Sequence, residues 1–205
     1  MSGRITIDLF VTLDGVAQAP GGPEEDTSGG FPWGGWQAPF EDPVIGQRIG
    51  DGIRGLDALL LGRGTYDIFA AYWPHHTGGE VGFIGQKFND VPKYVASRGN
   101  PSLEWQGSSL LGSDLAAEVE ALRSRHEDIH VIGSVDFVHT LLAQELYDEL
   151  VLWTYPIVLG QGKKVFPEGA EPVRLALVGQ PLPGPTGVVE LRYAPAGRPA
   201  TGDMT

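Results

Sequence analysis

From the start of the chain apolar and polar residues alternate, with Ile5, Ile7, Leu9 and Val11 set against Thr6, Asp8, Phe10 and Thr12. A period of two predicts a strand with one buried face. Ala58-Leu-Leu-Leu-Gly62 has no polar position and predicts a strand buried on both sides, and Ile129–Ile132 reads the same way. Pro92–Ala96, Glu149–Leu159, Val173–Gly179 and Gly187–Ala194 predict further strands, with a short one at Leu103–Gln106. Between them the spacing lengthens to three and four residues. Ile45, Ile49, Ile53 and Leu56 follow the helix-start signal Asp42-Pro43. Leu115, Val119, Leu122 and His126 follow Ser113-Asp114, and Phe137, Val138, Leu141 and Leu142 form a third apolar face. Tyr66–Tyr72 and Gly82–Asn89 complete the helices, while Gly46, Gly50 and Gly52 weaken the first and permit close packing.

Strand and helix alternate to about residue 145, and only strands follow. This order predicts a three-layer α/β sandwich with a mostly parallel sheet and antiparallel C-terminal edge strands. With 205 residues the chain suits one domain over 1–195, and the Pro-, Gly- and Thr-containing tail 196–205 is expected to fray. A formal charge of −12 with 14 basic residues argues against a nucleic-acid partner. Cysteine is absent, which removes disulfides, thiolate metal sites and thiol nucleophiles. No long apolar run occurs, so a soluble, cytoplasmic protein without a membrane partner is expected. Adjacent His75 and His76 lack a third ligand, so no metal is expected, and His139 reads as structural or solvent-facing.

The candidate chemistry lies in turns that follow strands. Gly62-Arg-Gly-Thr65 supplies small residues, a cation and a hydroxyl, with Thr65 where a helix N-cap would stand. Such a turn seats an anion at a helix N-terminus, or is a surface turn with an exposed arginine. Ser97-Arg98 after the next strand is a second phosphate-contact candidate, and Gly133-Ser134-Val135 before a helix a third. Asp14 lies beside Gly15 at the end of the first strand, where it faces a pocket or simply makes an Asp-Gly turn. Residues 17–43 carry an acidic run, Glu24–Asp26, and the rings Phe31, Trp33, Trp36 and Phe40. That composition suits a loop folded over a pocket for a planar ligand, or an oligomer interface.

Taken together, Thr12-Leu-Asp-Gly15, Gly34-Gly-Trp36, Leu59–Tyr66, Lys93–Arg98, Val131–Ser134 and Tyr147–Leu150, leading to Pro156–Gly162 and Phe166, resemble one family. It is the dihydrofolate-reductase-like superfamily, and within it the C-terminal reductase domain of the bifunctional riboflavin-biosynthesis deaminase/reductase. The resemblance implies that NADPH phosphates meet Gly62, Arg63 and Thr65, that Ser97 and Arg98 hold the adenosine 2′-phosphate, and that Gly133, Ser134 and Val135 receive the pyrophosphate. It also implies that Asp14 is the proton donor or substrate anchor, with Thr12, Trp33 and Trp36 beside a small-molecule substrate. The implied activity is reduction of an aminopyrimidine ribosyl phosphate, with pterin or dihydrofolate reduction as the close alternative; a nucleotide-binding protein without turnover and a purely structural oligomer stay open beside it. A homodimer is expected, with strand Val151–Tyr155 a candidate interface. The zinc-deaminase signature is absent, so a stand-alone reductase-like form is expected. No cluster of bases for a substrate phosphate is evident, and the acids at 24–26 would repel one.

Overall fold

In the computed structural model, which describes residues 2–204, nine strands form one sheet. In chain order the elements are β1 (Arg4–Thr12), α1 (Pro43–Gly55), β2 (Ala58–Gly62), α2 (Arg63–Tyr72), α3 (Gly82–Asp90), β3 (Lys93–Ala96), β4 (Ser108–Leu110), α4 (Leu115–Arg123), β5 (Asp128–Val131), α5 (Val135–Ala143), β6 (Glu149–Tyr155), β7 (Leu175–Leu177), β8 (Leu182–Pro183) and β9 (Val189–Pro195). The spatial order is β4-β3-β2-β5-β1-β6-β9-β7, with β8 also paired to β9. The first six of these run parallel, and β9, β7 and β8 are antiparallel.

Helices cover both faces. Ile5, Ile7 and Leu9 of β1 pack with Val119 and Leu122 of α4 and Val138 and Leu141 of α5. On the other face Leu59 and Leu61 pack with Ile53 of α1, Tyr66 of α2 and Phe88 of α3. Every residue of β2 is buried, as its unbroken apolar run requires. The chain lays down β2, β3 and β4 in one direction, then returns to insert β5 between β2 and β1. Such a reversal leaves a crevice at the carboxyl ends of the strands.

Several boundaries differ from expectation. The segment 103–106 is not a strand: Trp105 turns inward, its Nε1–H donating to Asn89 Oδ1 at 2.7 Å, and the edge strand forms at 108–110 instead. β6 stops at Tyr155, before Pro156, and β7 spans only Leu175–Leu177. Strand Val151–Tyr155 is no interface, because β1 and β9 flank it and Val151, Trp153 and Tyr155 are buried under α1. Helix α4 ends at Arg123, so His126 lies beyond it, its Nε2 2.8 Å from the Tyr94 hydroxyl. Helix α2 begins at Arg63 with Gly62 as its cap residue, which moves Thr65 inside the first turn.

The face of β1 that alternation marks as polar is buried too. Asp8 accepts from Trp153 Nε1 at 3.0 Å and pairs with His130 Nδ1 at 2.7 Å, and His130 also lies 3.5 Å from Asp128. Glu149 accepts from Arg4 at 3.2 Å and Arg192 at 2.8 Å, and Arg48 pairs with Glu190 at 3.1 Å. Helix α1 lies against this layer, with Gly52 facing the His130 ring at ordinary packing distance. Burial opposes a charge on His130, but hydrogen bonds and charges from Asp128 and Asp8 outweigh it and push its pKa up to about 9.

A folded-state pKa above the unfolded value gives stability that is complete below about 6.5 and lost as pH rises through about 9. Lys93, buried with Nζ bonded to the Phe88 and Asn89 carbonyls, is depressed to about 8 by burial and acts in the opposite sense above that pH. The window from pH 6.5 to 8 therefore isolates the histidine. Urea unfolding there should show stability falling by about 1–2 kcal/mol as pH rises. The slope should vanish in His130→Gln; an unchanged slope in that variant would assign it elsewhere.

Candidate functional site

At the carboxyl end of β2, a Cβ on Gly62 would lie 2.7 Å from Phe137 Cβ and 2.8 Å from Ser134 N, both distances that a real side chain cannot occupy. The Gly62 N–H donates to the Gly133 carbonyl at 2.9 Å. Gly133 has φ 134, and a Cβ there would lie 2.6 Å from Thr65 Oγ1. The turns after β2 and β5 are thus interlocked through two glycines. Gly62 also registers with Ala96, so Ser97 and Arg98 leave β3 directly beside this pair. The three candidate phosphate turns share one edge of the sheet.

Helices α2, α4 and α5 begin just after a parallel strand, and α1 begins after the long loop that follows β1. Asp42 caps α1, accepting from Val44 N and Ile45 N, and Asp114 caps α4, accepting from Ala117 N. Helices α2 and α5 have no side-chain cap, although Ser134 stands at the cap position of α5. Their first amides open side by side at the interlocked turns, the arrangement that attracts an anion. Asp136 is the one acid in the first turn of either helix, and it is exposed. Arg63 donates through Nε to both oxygens of Asp67, at 2.6 and 2.7 Å. Arg98 is exposed and forms no ion pair among the described residues. Ser97 Oγ accepts from Gly99 N at 3.2 Å.

The residues expected beside the substrate have a different role. Thr12 is buried, and its hydroxyl donates to Asp14 Oδ1 at 2.6 Å while accepting from Val16 N at 2.9 Å. Asp14 also accepts from Leu159 N at 3.2 Å and Gly160 N at 2.7 Å. Burial alone would raise its carboxyl, but these hydrogen bonds outweigh it and hold the group below the ordinary aspartate range. Asp14 is thus a clasp between the exits of β1 and β6, and its hydrogen bonds favour the ionised carboxylate over the protonated form that a proton donor needs.

Trp36 is buried, and its indole N–H donates to the Gln18 carbonyl at 2.8 Å. With Phe10 and Phe40 it packs edge-on around Tyr155, at centroid distances of 5.3 to 5.9 Å. That aromatic group belongs to the core, so Trp36 cannot wall a ligand. Trp33 is half exposed and remains available.

Gln18 was not expected to matter, yet it organises the loop. Its Nε2 donates to the Asp26 and Ser28 carbonyls at 3.0 Å each, and its Oε1 accepts from Lys163 N at 3.0 Å. Lys163 Nζ then reaches Asp26 at 2.7 Å. A lone buried glutamine in a Gly/Pro-rich run is the only sequence signal for this. Beside it Gln18, Ser28, Gly29, Phe31, Gln161, Gly162 and Lys163 line a cavity of about 270 Å³. A second cavity, about 480 Å³, lies at the amino ends of β3 and β4 against Trp105 and Asn89, and none of the expected site residues lines it. His139 is structural, its Nε2 2.8 Å from the Lys164 carbonyl. No helix among the described residues is long and apolar enough to cross a membrane.

Residues 4–181 match the RibD C-terminal domain. The chain belongs to that family. It is 28% identical over 192 residues to the uncharacterized protein YyaP of Bacillus subtilis (strain 168), covering 93% of this chain and 94% of that protein. Among solved structures it resembles a putative riboflavin biosynthesis protein from Shewanella sp. PV-4, with TM-score 0.70, 19% identity, and 96% and 99% of the two chains covered. It also resembles dihydrofolate reductase from Enterococcus faecalis, solved with NADP(H), with TM-score 0.56, 15% identity, and 95% and 98% covered. The fold is of the dihydrofolate-reductase type.

Two substitutions test this geometry. Gly62→Ala should destabilise by about 3 kcal/mol or more, because the clash is with Ser134 backbone and Phe137 Cβ on a packed helix. An unchanged thermal midpoint would show that β2 and β5 do not approach so closely. Gln18→Leu leaves two carbonyls and an N–H without partners, at about 1–3 kcal/mol each where buried. Limited proteolysis should then cut between residues 20 and 30 faster than in the unaltered protein, and equal rates would contradict the role given to Gln18.

Proposed function

We propose that this protein is an NADPH-dependent reductase of a small planar heterocycle, of the aminopyrimidine-reductase type its family suggests. The observation that carries the reading is the convergence of three phosphate-binding turns on one sheet edge, two of them at uncapped helix N-termini. The donor set fits a dinucleotide. Amides at the starts of α2 and α5 suit the pyrophosphate, with Arg63 and Thr65 on one side and Gly133, Ser134 and Val135 on the other. Arg98, with no ion pair, suits the 2′-phosphate that distinguishes NADPH from NADH. The complex of the Enterococcus enzyme with NADP(H) supports the same cofactor.

When bound, the cofactor supplies a hydride. The protein's part is to hold the nicotinamide end toward the exits of β1 and β6 and to exclude water there. The Thr12–Asp14 clasp fixes the shape of those exits.

Titration of tryptophan fluorescence tests the cofactor assignment. Arg98→Ala should weaken NADPH binding about tenfold while changing NADH binding less than twofold, the loss of one exposed charge-assisted contact. Equal weakening of both would mean that Arg98 does not meet the 2′-phosphate. Saturable NADPH binding without oxidation across pterin, pyrimidine and quinone substrates would favour a binding protein over an enzyme.

A further inference from the structure

We propose that the substrate end of this site selects an uncharged, unphosphorylated heterocycle. The inference rests on the reductase reading and names its substrate class. It comes from the placement of charge along the strand ends. Arg63 and Arg98 leave β2 and β3, whereas the clasp at Asp14 leaves β1. Three strand spacings, roughly 14 Å, separate β3 from β1, and two, roughly 10 Å, separate β2 from β1. Arg98 therefore lies beyond contact with a group seated at β1 and β6, and Arg63 is tied to Asp67, so the cations serve the cofactor side.

On the β1–β6 side fixed negative charge dominates. Asp14 is held ionised by the Thr12 hydroxyl and the Leu159 and Gly160 amides. Asp26 is held below the ordinary range by Lys163 and Ser28. The Lys163 ammonium, the nearest candidate for a substrate phosphate, is already neutralised by Asp26 at 2.7 Å. Gln18 keeps this pair together by binding the Lys163 amide and the Asp26 carbonyl at once. Lys164 is the one cation here without an acidic partner among the described residues, and it stands against the carboxylates of Asp14 and Asp26. Glu25 accepts from the Gly21 and Gly22 amides, which tie its carboxylate to the loop.

The remaining surface is apolar. Leu13 is 65% exposed and Val158 64%, and Leu13 N–H donates to the carbonyl of Ile157, the residue before Val158, at 2.9 Å. Phe166, 43% exposed, follows Val165, whose N–H donates to the Gly15 carbonyl. Apolar side chains thus rim the clasp, with the cavity of about 270 Å³ beside Lys163. A neutral ring loses little on entering such a rim. A phosphate ester would lose its hydration and meet Lys164 as the one unpaired cation, against the carboxylates of Asp14 and Asp26.

The test uses the NADPH-loaded protein and two matched pairs: an aminopyrimidine riboside with its phosphate ester, and dihydrobiopterin with dihydrofolate, whose tail adds carboxylates. In each pair the less charged member should bind about tenfold tighter at low salt by tryptophan fluorescence, and the ratio should shrink as salt screens the carboxylates. Asp26→Asn, which frees Lys163, should narrow the ratio severalfold while the thermal midpoint and NADPH affinity change little. Equal or tighter binding of the charged members, or of neither member, would overturn the inference, as would an unchanged ratio in Asp26→Asn. Failure of the reductase reading is distinct, since it would show as loss of saturable NADPH binding itself.

Discussion

There is no room for a single methyl group at the carboxyl end of β2. Phe137 and the Ser134 backbone occupy the space that a Gly62 side chain would need, and Thr65 occupies the corresponding space at Gly133. This mutual exclusion draws the turns after β2 and β5 together and sets the first amides of α2 and α5 beside each other. The crevice predicted by the strand order becomes a specific place because of that contact. A wider spacing would leave two separate helix ends, each a weak anion site.

The other side of the edge is shaped by different bonds. Thr12, Asp14 and the amides of Leu159 and Gly160 tie the exit of β1 to that of β6, and Gln18 continues the connection into the long loop. Beneath α1 the sheet carries a layer of ion pairs in which His130, Glu149 and Glu190 are buried, while their partners Arg4 and Arg48 stay exposed and Asp8, Asp128 and Arg192 are partly covered. Buried pairs of this kind add little net stability over apolar packing, but removing one partner strands a charge. They hold α1 in register over the sheet, and the loop that enters α1 inherits that position.

Much of this was legible in the residues. The unbroken Ala58–Gly62 run placed β2 in the centre, and the alternation of strand and helix up to residue 145 specified the layers. The three candidate phosphate turns could be picked out because each combines glycine or serine with a strand end, and the sheet brings them to one edge. Roles that depend on long-range partners could not be read. Asp8 looks solvent-facing by alternation, yet it is half-buried against Trp153 and His130, and Glu149 is buried between Arg4 and Arg192. Trp36 and Thr12 looked like ligand contacts because their partners, Tyr155, Gln18 and Val16, depend on how the loop folds back. Asp14 was legible as a functional carboxylate, but its protonation depends on amides 145 and 146 residues away.

Backbone amide chemical shifts during an NADPH titration test the central claim most directly. Gly64, Thr65, Ser97, Arg98, Ser134 and Val135 should shift together along one saturation curve, because one ligand spans three turns. Shifts confined to a single turn, or centred instead on Glu104, Trp105 and Gln106 at the opposite edge, would contradict it.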